Sequence, residues 1–554
     1  MSEIKSINGR ELSDSYARVK INDLNMKVDN NKNDLSLQIK EIINKQPQVN
    51  IKDFGAIGNG IANDTSAFKN ASEYLGSNGG TLVLPFGTYI IDEAFLLHSN
   101  TTLMGNGSTI KLLSNVKSSL IKTIPNGNRL TNIKIKDVVL DGNCFFDGEP
   151  TEQLQHHSLF IMSVDNLTIE NIKIINPVAW CSNILNCNNV IVNNFTARSY
   201  KAQQDGLHFV DTSNVVATNI ICSTGDDAIG ITIDNVSKIE NINIKNALCE
   251  TVSHGSLLRL NQSDRSNSAN EVKEIRDINI SIDAIGESKN RGFSLVSIPS
   301  ISKVENIKLN GVVKDTTNEA IRVDNCDSLN IDVAILQNKD NNMPVVNIMK
   351  TNKSSIKISA PNLKTTQESL IINEGENVDI NLKCNYTNQS TQPSIRLNST
   401  QYINIVGDIS NCNRGISVGS STATSNRVKI TNTFIKDCLS YAVYIGDNGN
   451  FVDCFNNHFV NTQGIYPTNK GLIENNYGFV TNKKGVATLP TGMHYVIVTH
   501  GLQTTPIGVI LTPQKPHLLG KIYVVNKTST TFTIKIVDDE QNTEESLIDY
   551  FAFC

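Results

Sequence analysis

A short pattern returns along most of this chain: a branched residue, any residue, Asn or Asp, and then an apolar residue. Successive copies lie 22 to 36 residues apart. A unit this short cannot bury its apolar face alone, whereas stacked units can bury a continuous core. The repeat therefore restricts the chain to a stacked architecture. The copies read "IKDV" (135–138), "IENI" (169–172), "VNNF" (192–195), "ATNI" (217–220), "IENI" (239–242), "IRDI" (275–278) and "VENI" (304–307).

Each repeat holds two or three short segments of alternating polarity, separated by Asn, Gly, Ser or Asp. This is the pattern of strands and turns. The sequence predicts an all-β fold whose main part is a right-handed parallel β-helix, a solenoid of stacked coils. The recurrent Asn favours it, because stacked amides can hydrogen-bond from coil to coil. A β-propeller, the alternative, would need longer repeats with aromatic signatures.

The two ends of the chain differ from the repeats. Residues 19–43 carry apolar side chains at heptad spacing, which predicts a short α-helical coiled coil; the alternative is a lone amphipathic helix. From 483 to 554, alternating strands predict a small C-terminal β-sandwich. We therefore expect an N-terminal segment (1–47), a β-helix (48–482) and the β-sandwich (483–554).

Composition excludes several classes of protein. The net charge of −5 gives no overall reason to expect a nucleic-acid partner, and no run of 18 apolar residues predicts membrane insertion. The 11 cysteines contain no C-x-x-C pair, which favours buried, reduced thiols over disulfides or zinc. His156 and His157 are adjacent and would face opposite ways on a strand. No metal and no cofactor are predicted.

One acidic pair carries the chemistry. Asp226 and Asp227 stand side by side in "STGDDAIGI" (223–231); Asp205 precedes Asp226 by 21 residues, and His254 follows Asp227 by 27. Each interval is about one coil, so the four residues can line one face of neighbouring coils. Carboxylates this close cannot all ionise freely, so one keeps its proton near neutral pH. A protonated acid beside ionised bases is what cleavage of a glycosidic bond requires.

Two stretches resemble known families. Residues 51–91 resemble the N-terminal end of pectate-lyase-like β-helix proteins, with "FGA", an Asp-Thr that opens a capping helix, "GG" and "LPFGTY". Residues 176–260 are similar to the polygalacturonase family of glycoside hydrolases within that superfamily. The motifs "NPVAW" (176–180), "QQDG" (203–206), "GDDAIGI" (225–231) and "SHGSL" (253–257) follow the order of that family.

The resemblance implies a role for each residue. Asp226 would be the general acid, while Asp205 and Asp227 would hold the attacking water and the product would be inverted. Two carboxyls with a water between them are expected about 6.5–9.5 Å apart. His254 would tune or relay the proton of the acid, and Trp180 would lie beside a sugar ring.

The sequence departs from the family at one motif. The Arg-x-Lys whose Lys meets the uronate carboxylate has no clean counterpart, and Arg259 and Arg322 are the candidates for binding substrate. Loss of the Lys argues against a galacturonan substrate.

The ends of the chain resemble phage tail appendages. "INGRELSDSYAR", followed by the coiled coil, is similar to their attachment region, and the C-terminal strands resemble a β-domain found at their tips. The resemblance implies a homotrimeric tailspike that binds and hydrolyses a host-surface polysaccharide or teichoic acid. Its N-terminus would contact other tail or baseplate proteins, and it would assemble in the host cytoplasm. The alternatives are a non-catalytic receptor-binding spike and a free polysaccharide hydrolase.

Overall fold

The computed structural model describes Asp23, Lys27 and residues 47–144, 156–263, 272–299, 301–387, 390–467, 470–479, 482–502 and 504–553. Except for Asp23 and Lys27, the predicted coiled coil lies outside the described residues. Those two side chains form an ion pair of 3.2 Å one helical turn apart.

Two parallel sheets wind through most of the described chain and form a β-solenoid, as the repeats predict. The narrow sheet has 15 described strands, one for each coil that it crosses. Its strands are Phe95–Leu97, Ile121–Thr123, Leu159–Met162, Ser182–Leu185, Leu207–Val210, Ile229–Ile233, Leu258–Gln262, Phe293–Val296, Ile321–Val323, Val346–Ile348, Leu370–Ile372, Pro393–Leu397, Arg414–Val418, Val443–Ile445 and Ile465–Tyr466.

The wide sheet has 22 described strands, many of them long and bent. Its strands are Gln48–Asn50, Asn59–Asn63, Gly80–Val83, Thr88–Ile91, Thr101–Leu112, Leu130–Asp141, Val164–Ile175, Asn188–Arg198, Ser213–Thr224, Lys238–Thr251, Glu274–Ala284, Lys303–Lys314, Cys326–Asp327, Asn330–Leu336, Thr351–Leu363, Gly375–Tyr386, Thr400–Ser410, Ser425–Thr431, Phe434–Lys436, Gly449–Phe455, His458–Val460 and Ile473–Glu474.

The solenoid interior is built from rows of aliphatic side chains. Ile135, Ile169, Val192, Ala217 and Ile244 pair in register through five successive coils, and each is fully buried. Side chains that alternate across a strand put every second residue inside. Burial of such a side chain stabilises the fold by about 1.5–3 kcal/mol, so the stacked rows supply the stability that a single coil lacks.

The Asn and Asp of the repeat lie where the wide strands bend. Asp137, Asn171 and Asn194 all have φ near 55–58°, the left-handed conformation that Asn and Asp tolerate best. Asn171 donates from Nδ2 to Asp137 Oδ1 at 2.7 Å, and Asn194 donates to Asn171 at 2.8 Å. The predicted amide ladder is therefore confirmed.

The repeat marks two corners of the coil rather than one. The first four copies lie on the ladder of Asn171, whereas Asn241, Asp277 and Asn306 lie on a second ladder. This explains why the spacing of the pattern varies along the sequence.

One helix covers the N-terminal end of the solenoid. Thr65–Asn78 buries Phe68, whose ring packs edge-on against Tyr89 and Phe95. Asp64 holds the preceding turn, because its carboxylate accepts from the N–H groups of Ile57 (2.5 Å) and Gly58 (3.0 Å). The open end of the apolar core is thereby shielded from water. Three short 3-10 turns are also present, at Ile51–Phe54, Pro516–Leu518 and Val537–Asp539.

The C-terminal strands form two antiparallel sheets around a core of their own. Phe532, Ile534 and Ile548 are fully buried in that core, and it is separate from the core of the solenoid. The predicted C-terminal β-structure is confirmed. One sheet contains the strands Asn482–Leu489, Ser546–Phe553 and Gly508–Pro513. The other sheet contains the strands Tyr495–Thr499, Thr531–Ile536 and Ile522–Val525.

Most cysteines of the described residues lie in the interior. The ten described cysteines are free thiols, and all except Cys144 are buried. Burial raises the pKa of the Cys187 thiol to about 12, so this thiol stays neutral at physiological pH.

Over the described ranges, no helix has the length and apolar character needed to cross a membrane.

Candidate active site

The acidic residues stand in the turns that lead into the narrow sheet. Asp205 precedes the strand Leu207–Val210, and Asp226 and Asp227 precede the strand Ile229–Ile233. These two strands pair in parallel, with Leu207 opposite Ile229. The turns therefore lie one above the other, and the three carboxylates meet as their spacing in the sequence predicts. One oxygen from each lies within 4.8 Å of the others.

Backbone amides fix the two adjacent carboxylates. Asp227 is buried and its Oδ1 accepts from Ser256 N–H at 2.7 Å. Asp226 is half-buried and its Oδ2 accepts from Gln203 N–H at 3.0 Å. Each carboxylate is thus held by a neighbouring coil. The Asp227 carboxyl is thus buried between coils, whereas the Asp226 carboxyl reaches the open cavity described below.

Two glycines allow the backbones to approach so closely. A Cβ on Gly225 would overlap the carbonyl of Lys201, and a Cβ on Gly255 would overlap the backbone between Asp226 and Asp227. Gly255 also has a φ of 83°, a conformation that other residues rarely adopt. The glycine beside the acidic pair is needed for close packing between coils.

Burial gives Asp227 an unusual proton affinity. Desolvation, together with the charges of Asp205 and Asp226, raises the pKa of Asp227 from 3.8 to about 7. The guanidinium of Arg259, 3.6 Å away, and the Ser256 amide oppose the shift. One carboxyl of the cluster therefore keeps a proton near neutral pH, as expected. The raised pKa belongs to Asp227, whereas the resemblance gives the transferable proton to Asp226.

The cluster opens into a cavity of about 550 Å³ on the outer face of the narrow sheet. Trp180 and Arg259, both predicted to bind substrate, line it together with the three carboxylates. The Trp180 ring stacks on His208 with centroids 4.3 Å apart and planes at 9°. His157 stacks on the opposite side at 4.7 Å. His157, Trp180 and His208 thus form a three-ring stack, of which Trp180 and His208 line the cavity.

His208, which was not predicted from the sequence, also belongs to the site. Its Nδ1 lies 2.7 Å from Asp205 Oδ2, and its Nε2 lies 2.9 Å from Thr232 Oγ1. The side chain is buried, and a Cβ on Gly230 would lie 2.5 Å from Nδ1, so the glycine leaves room for the ring. The available signal was position: His208 is three residues after Asp205, at an outward-facing site of the next strand.

His254 occupies a different place from the one that its predicted role requires. The residue is exposed, its ring contacts Ser253 Oγ at 2.9 Å, and it does not line the cavity. Only its backbone joins the site, through a hydrogen bond from His254 N–H to Gly225 O at 2.7 Å. A role for this side chain in proton relay stays a prediction.

The arginines occupy a second pocket next to the acidic cavity. Arg322 lines it with Arg259 and Arg291, and Arg291 was not singled out from the sequence. Glu319 and Asp324 pair with Arg322 at 3.4 and 2.8 Å. The pocket therefore offers guanidinium groups whose positive charge is partly neutralised.

The carboxylate cluster is tighter than expected for an inverting pair. Its nearest oxygens lie within 4.8 Å, whereas carboxyls with a water between them stand about 6.5–9.5 Å apart. The stereochemical outcome therefore rests on the resemblance alone. Three oxygens at this distance could also hold a cation. We assign none, because His208 and Arg259 already bring nitrogen donors to two of the carboxylates.

Known protein families agree with this fold. Residues 48–261 match the family model described as rhamnogalacturonase A/epimerase, pectate lyase-like. An exopolygalacturonase of Zea mays is 26% identical over 253 residues, which are 42% of this chain and 57% of the relative. The chain thus spans just over half the length of the plant relatives that it matches.

A second group of relatives comes from phages. The preneck appendage protein of Bacillus phage PZA is 34% identical over 117 residues, covering 20% of this chain and 13% of the relative. The solved structure of the pre-mature bacteriophage phi29 gene product 12 shares 16% identity, covers 81% of this chain and 58% of that one, and has a TM-score of 0.41. The sequence matches confirm the resemblance to a phage tail appendage with a pectate-lyase-like β-helix and polygalacturonase-like motifs.

Proposed function

We propose that this chain is part of a phage tailspike that binds a glycopolymer of the host surface and hydrolyses it at the carboxylate cluster. One observation carries the proposal. Three carboxylates from adjacent coils converge at an open cavity, and one of them holds a proton near neutral pH. A solvated corner of a solenoid would need neither the convergence nor the burial.

The reaction follows from these positions. Asp226 is the least buried carboxyl of the three and delivers a proton to the glycosidic oxygen. Asp205 and Asp227 hold a water, and Asp205 accepts its proton as the water attacks the anomeric carbon. The bond between that carbon and the protonated glycosidic oxygen breaks. The buried proton on Asp227 supplies the cluster, because groups this close exchange protons as one unit. Trp180 packs against a sugar ring, and Arg259 with Arg322 binds polar or anionic groups of the polymer.

A non-catalytic receptor-binding spike is the second candidate. The exposed His254 and the missing Lys of the Arg-x-Lys motif favour it, because both remove parts of the catalytic set that the resemblance implies. A free polysaccharide hydrolase is the third, favoured by the match to plant exopolygalacturonases. Detection of the protein in purified virions separates the third candidate from the other two.

Release of reducing ends from host envelope material tests the proposal. Purified protein should generate new reducing ends with time, and Asp205→Asn should adsorb to the same material without generating them. Adsorption without release by wild-type protein would contradict hydrolysis and support the binding spike. A panel of purified capsule, exopolysaccharide and teichoic acid then identifies the polymer.

Polygalacturonate is expected to be a poor substrate. The Lys that would meet the uronate carboxylate is missing, and Arg322 already pairs with Glu319 and Asp324. Initial rates on polygalacturonate and on the host polymer, measured at equal mass concentration, check this. Comparable rates would show that the arginine pocket replaces the missing Lys.

We also expect the intact protein to be a homotrimer that attaches to other tail or baseplate proteins through residues 1–47. Heptad spacing in residues 19–43 supports association. Multi-angle light scattering of the full chain should give a mass three times that of one chain. A chain that stays monomeric at micromolar concentration would contradict this. Assembly in the host cytoplasm and action at the host surface complete the proposal.

A further inference from the structure

The hydrogen bonds of His208 fix the position of one of its ring hydrogens. Its Nε2 faces the hydroxyl of Thr232 at 2.9 Å. That hydroxyl has one hydrogen, which it donates to Asn261 Oδ1 at 3.0 Å. The oxygen of Thr232 can therefore only accept from the ring, so Nε2 carries a hydrogen.

The other nitrogen faces a carboxylate. Nδ1 lies 2.7 Å from Asp205 Oδ2, and an ionised carboxylate only accepts, so Nδ1 carries a hydrogen whenever Asp205 is charged. In addition to the hydrogen on Nε2, His208 and Asp205 therefore share one proton between Nδ1 and Oδ2. The pKa of an ordinary imidazole is higher than that of an ordinary Asp carboxyl by roughly 2–3 units, and this difference places the shared proton on the ring.

We propose that His208 is an imidazolium counter-ion built into the carboxylate cluster, which keeps Asp205 ionised and oriented as the base that accepts the proton of water. His208 is then a positioning residue, since it acts through Asp205. The inference deepens the proposed hydrolysis and rests on it for its catalytic consequence. The charge of the ring rests on the hydrogen bonds and on the ordinary proton affinities of the two groups, and it needs no catalytic activity.

The surroundings of the ring agree with a cation. Trp180 covers one face with near-parallel planes at 4.3 Å, a geometry in which an aromatic face attracts positive charge. The charged groups nearby are Asp226 and Asp227, which share the cluster, and Asp234, which lines the same cavity. Acids therefore outnumber cations around the ring.

Two basic groups lie farther along the same face. His157 stands behind Trp180, and Arg259 lies beyond Gly230 in the register of the narrow sheet. Gly230 has no side chain, so the ring leans over it. The sequence has placed the smallest residue where a larger one would push His208 away from Asp205.

The charge can be measured without any activity. Magic-angle-spinning NMR of sedimented, [15N]histidine-labelled full-length protein distinguishes imidazolium from the neutral tautomers, and His208→Asn assigns the signal by difference. At pH 7 the missing signal should have both ring nitrogens protonated. A neutral tautomer at that pH overturns the proposal, whether or not the protein cleaves a polymer.

Two isosteric variants test the consequence for catalysis. His208→Asn places an amide donor where Nδ1 stood and keeps the hydrogen bond to Asp205 without the charge, whereas His208→Gln reaches the position of Nε2. Without the cation, Asp205 should bind its proton more tightly, so the acidic limb of the kcat–pH profile should move up by about 1–3 pH units. KM should change little. His458→Asn, at a half-buried histidine of the wide sheet that does not line the cavity, is the control and should keep the wild-type profile.

The outcomes separate charge from geometry. A wild-type profile for His208→Asn, with loss only in His208→Gln, would show that a hydrogen bond suffices and would overturn the counter-ion. Circular dichroism and light scattering confirm that each variant is folded. Gly230→Ala displaces the His208 ring without removing it. This variant should lower kcat and move the acidic limb of the kcat–pH profile upward, as His208→Asn does. Wild-type protein that cleaves no polymer would refute the proposed hydrolysis, and the NMR result would still decide the charge.

Discussion

Replacement of Asp226 by Asn is expected to lower the rate of polymer cleavage by about 10²–10⁴-fold, the usual contribution of general acid catalysis. Asn has the size of Asp and its amide oxygen can still accept from Gln203 N–H, so the turn should keep its shape. Asp226 is half-buried, and its loss leaves no unpaired charge behind. Binding to host envelope material should therefore persist while release of reducing ends is lost.

The three carboxylates should behave as one catalytic unit. Asp205→Asn and Asp227→Asn should each lose activity to a similar degree, and double variants should lose little more, because residues that act together are far from additive. Asp332→Asn is the matched control: it is an exposed aspartate that pairs with Lys357 on the wide sheet, away from the cavity. It should cleave at the wild-type rate.

A synthetic substrate distinguishes the acid from the water-binding residues. An aryl glycoside of the released sugar needs no protonation of its leaving group. Asp226→Asn should therefore recover much of its activity on that substrate, whereas Asp205→Asn should not. Recovery by Asp227→Asn instead would make the buried carboxyl, whose pKa is raised to about 7, the proton donor. Full activity of Asp226→Asn on the polymer would mean that the acidic pair is only a solvated corner of the solenoid. An Asp226→Asn variant that fails to fold would mean that the pair has a structural role.

The parts of the site that the sequence predicted depend on the coil length. Asp205 lies one coil before Asp226 and Asp227, and a stacked coil must return it to the same side because the strands pair in register. The same logic predicted the interior rows and the Asn ladder. Periodicity is a property of the chain itself, and the solenoid fold converts it directly into distance.

Direction and register could not be predicted in the same way. His254 follows the acidic pair by one coil, yet its turn points the ring outward to Ser253. His208 became visible only when pairing placed it beside Asp205 and opposite Gly230. The conformation of a turn depends on close packing between coils, such as that of Gly255 against the Asp226–Asp227 backbone. Spacing in the sequence does not contain this information.

Asp227→Asn is expected to stabilise the protein while strongly lowering its activity. The folded pKa of Asp227 is raised from 3.8 to about 7, so between these values the folded chain holds a proton that the unfolded chain has lost. Stability therefore falls as pH rises from about 4 to 7, and the full penalty is present above pH 7. A shift of about 3 units corresponds to about 4 kcal/mol.

Unfolding in guanidinium at pH 4 and pH 8 measures this effect. At pH 8, Asp227→Asn should be more stable than wild type by up to about 4 kcal/mol, since the amide carries no charge to bury. Near pH 4, wild-type Asp227 is neutral in the folded chain and the difference should nearly vanish. Asp332→Asn, at an exposed aspartate away from the cavity, is the control and should show no such difference between pH 4 and pH 8.

Destabilisation by Asp227→Asn at both pH values would contradict the raised pKa and would mean that the Asp227 charge is stabilised by Arg259 and the Ser256 amide. If Asp227→Asn is more stable than wild type and no longer cleaves the polymer, the wild-type fold retains a buried carboxyl at this turn that lowers its free energy of unfolding. Because a purely structural corner gains nothing from such a group, the combination would be independent support for a catalytic role.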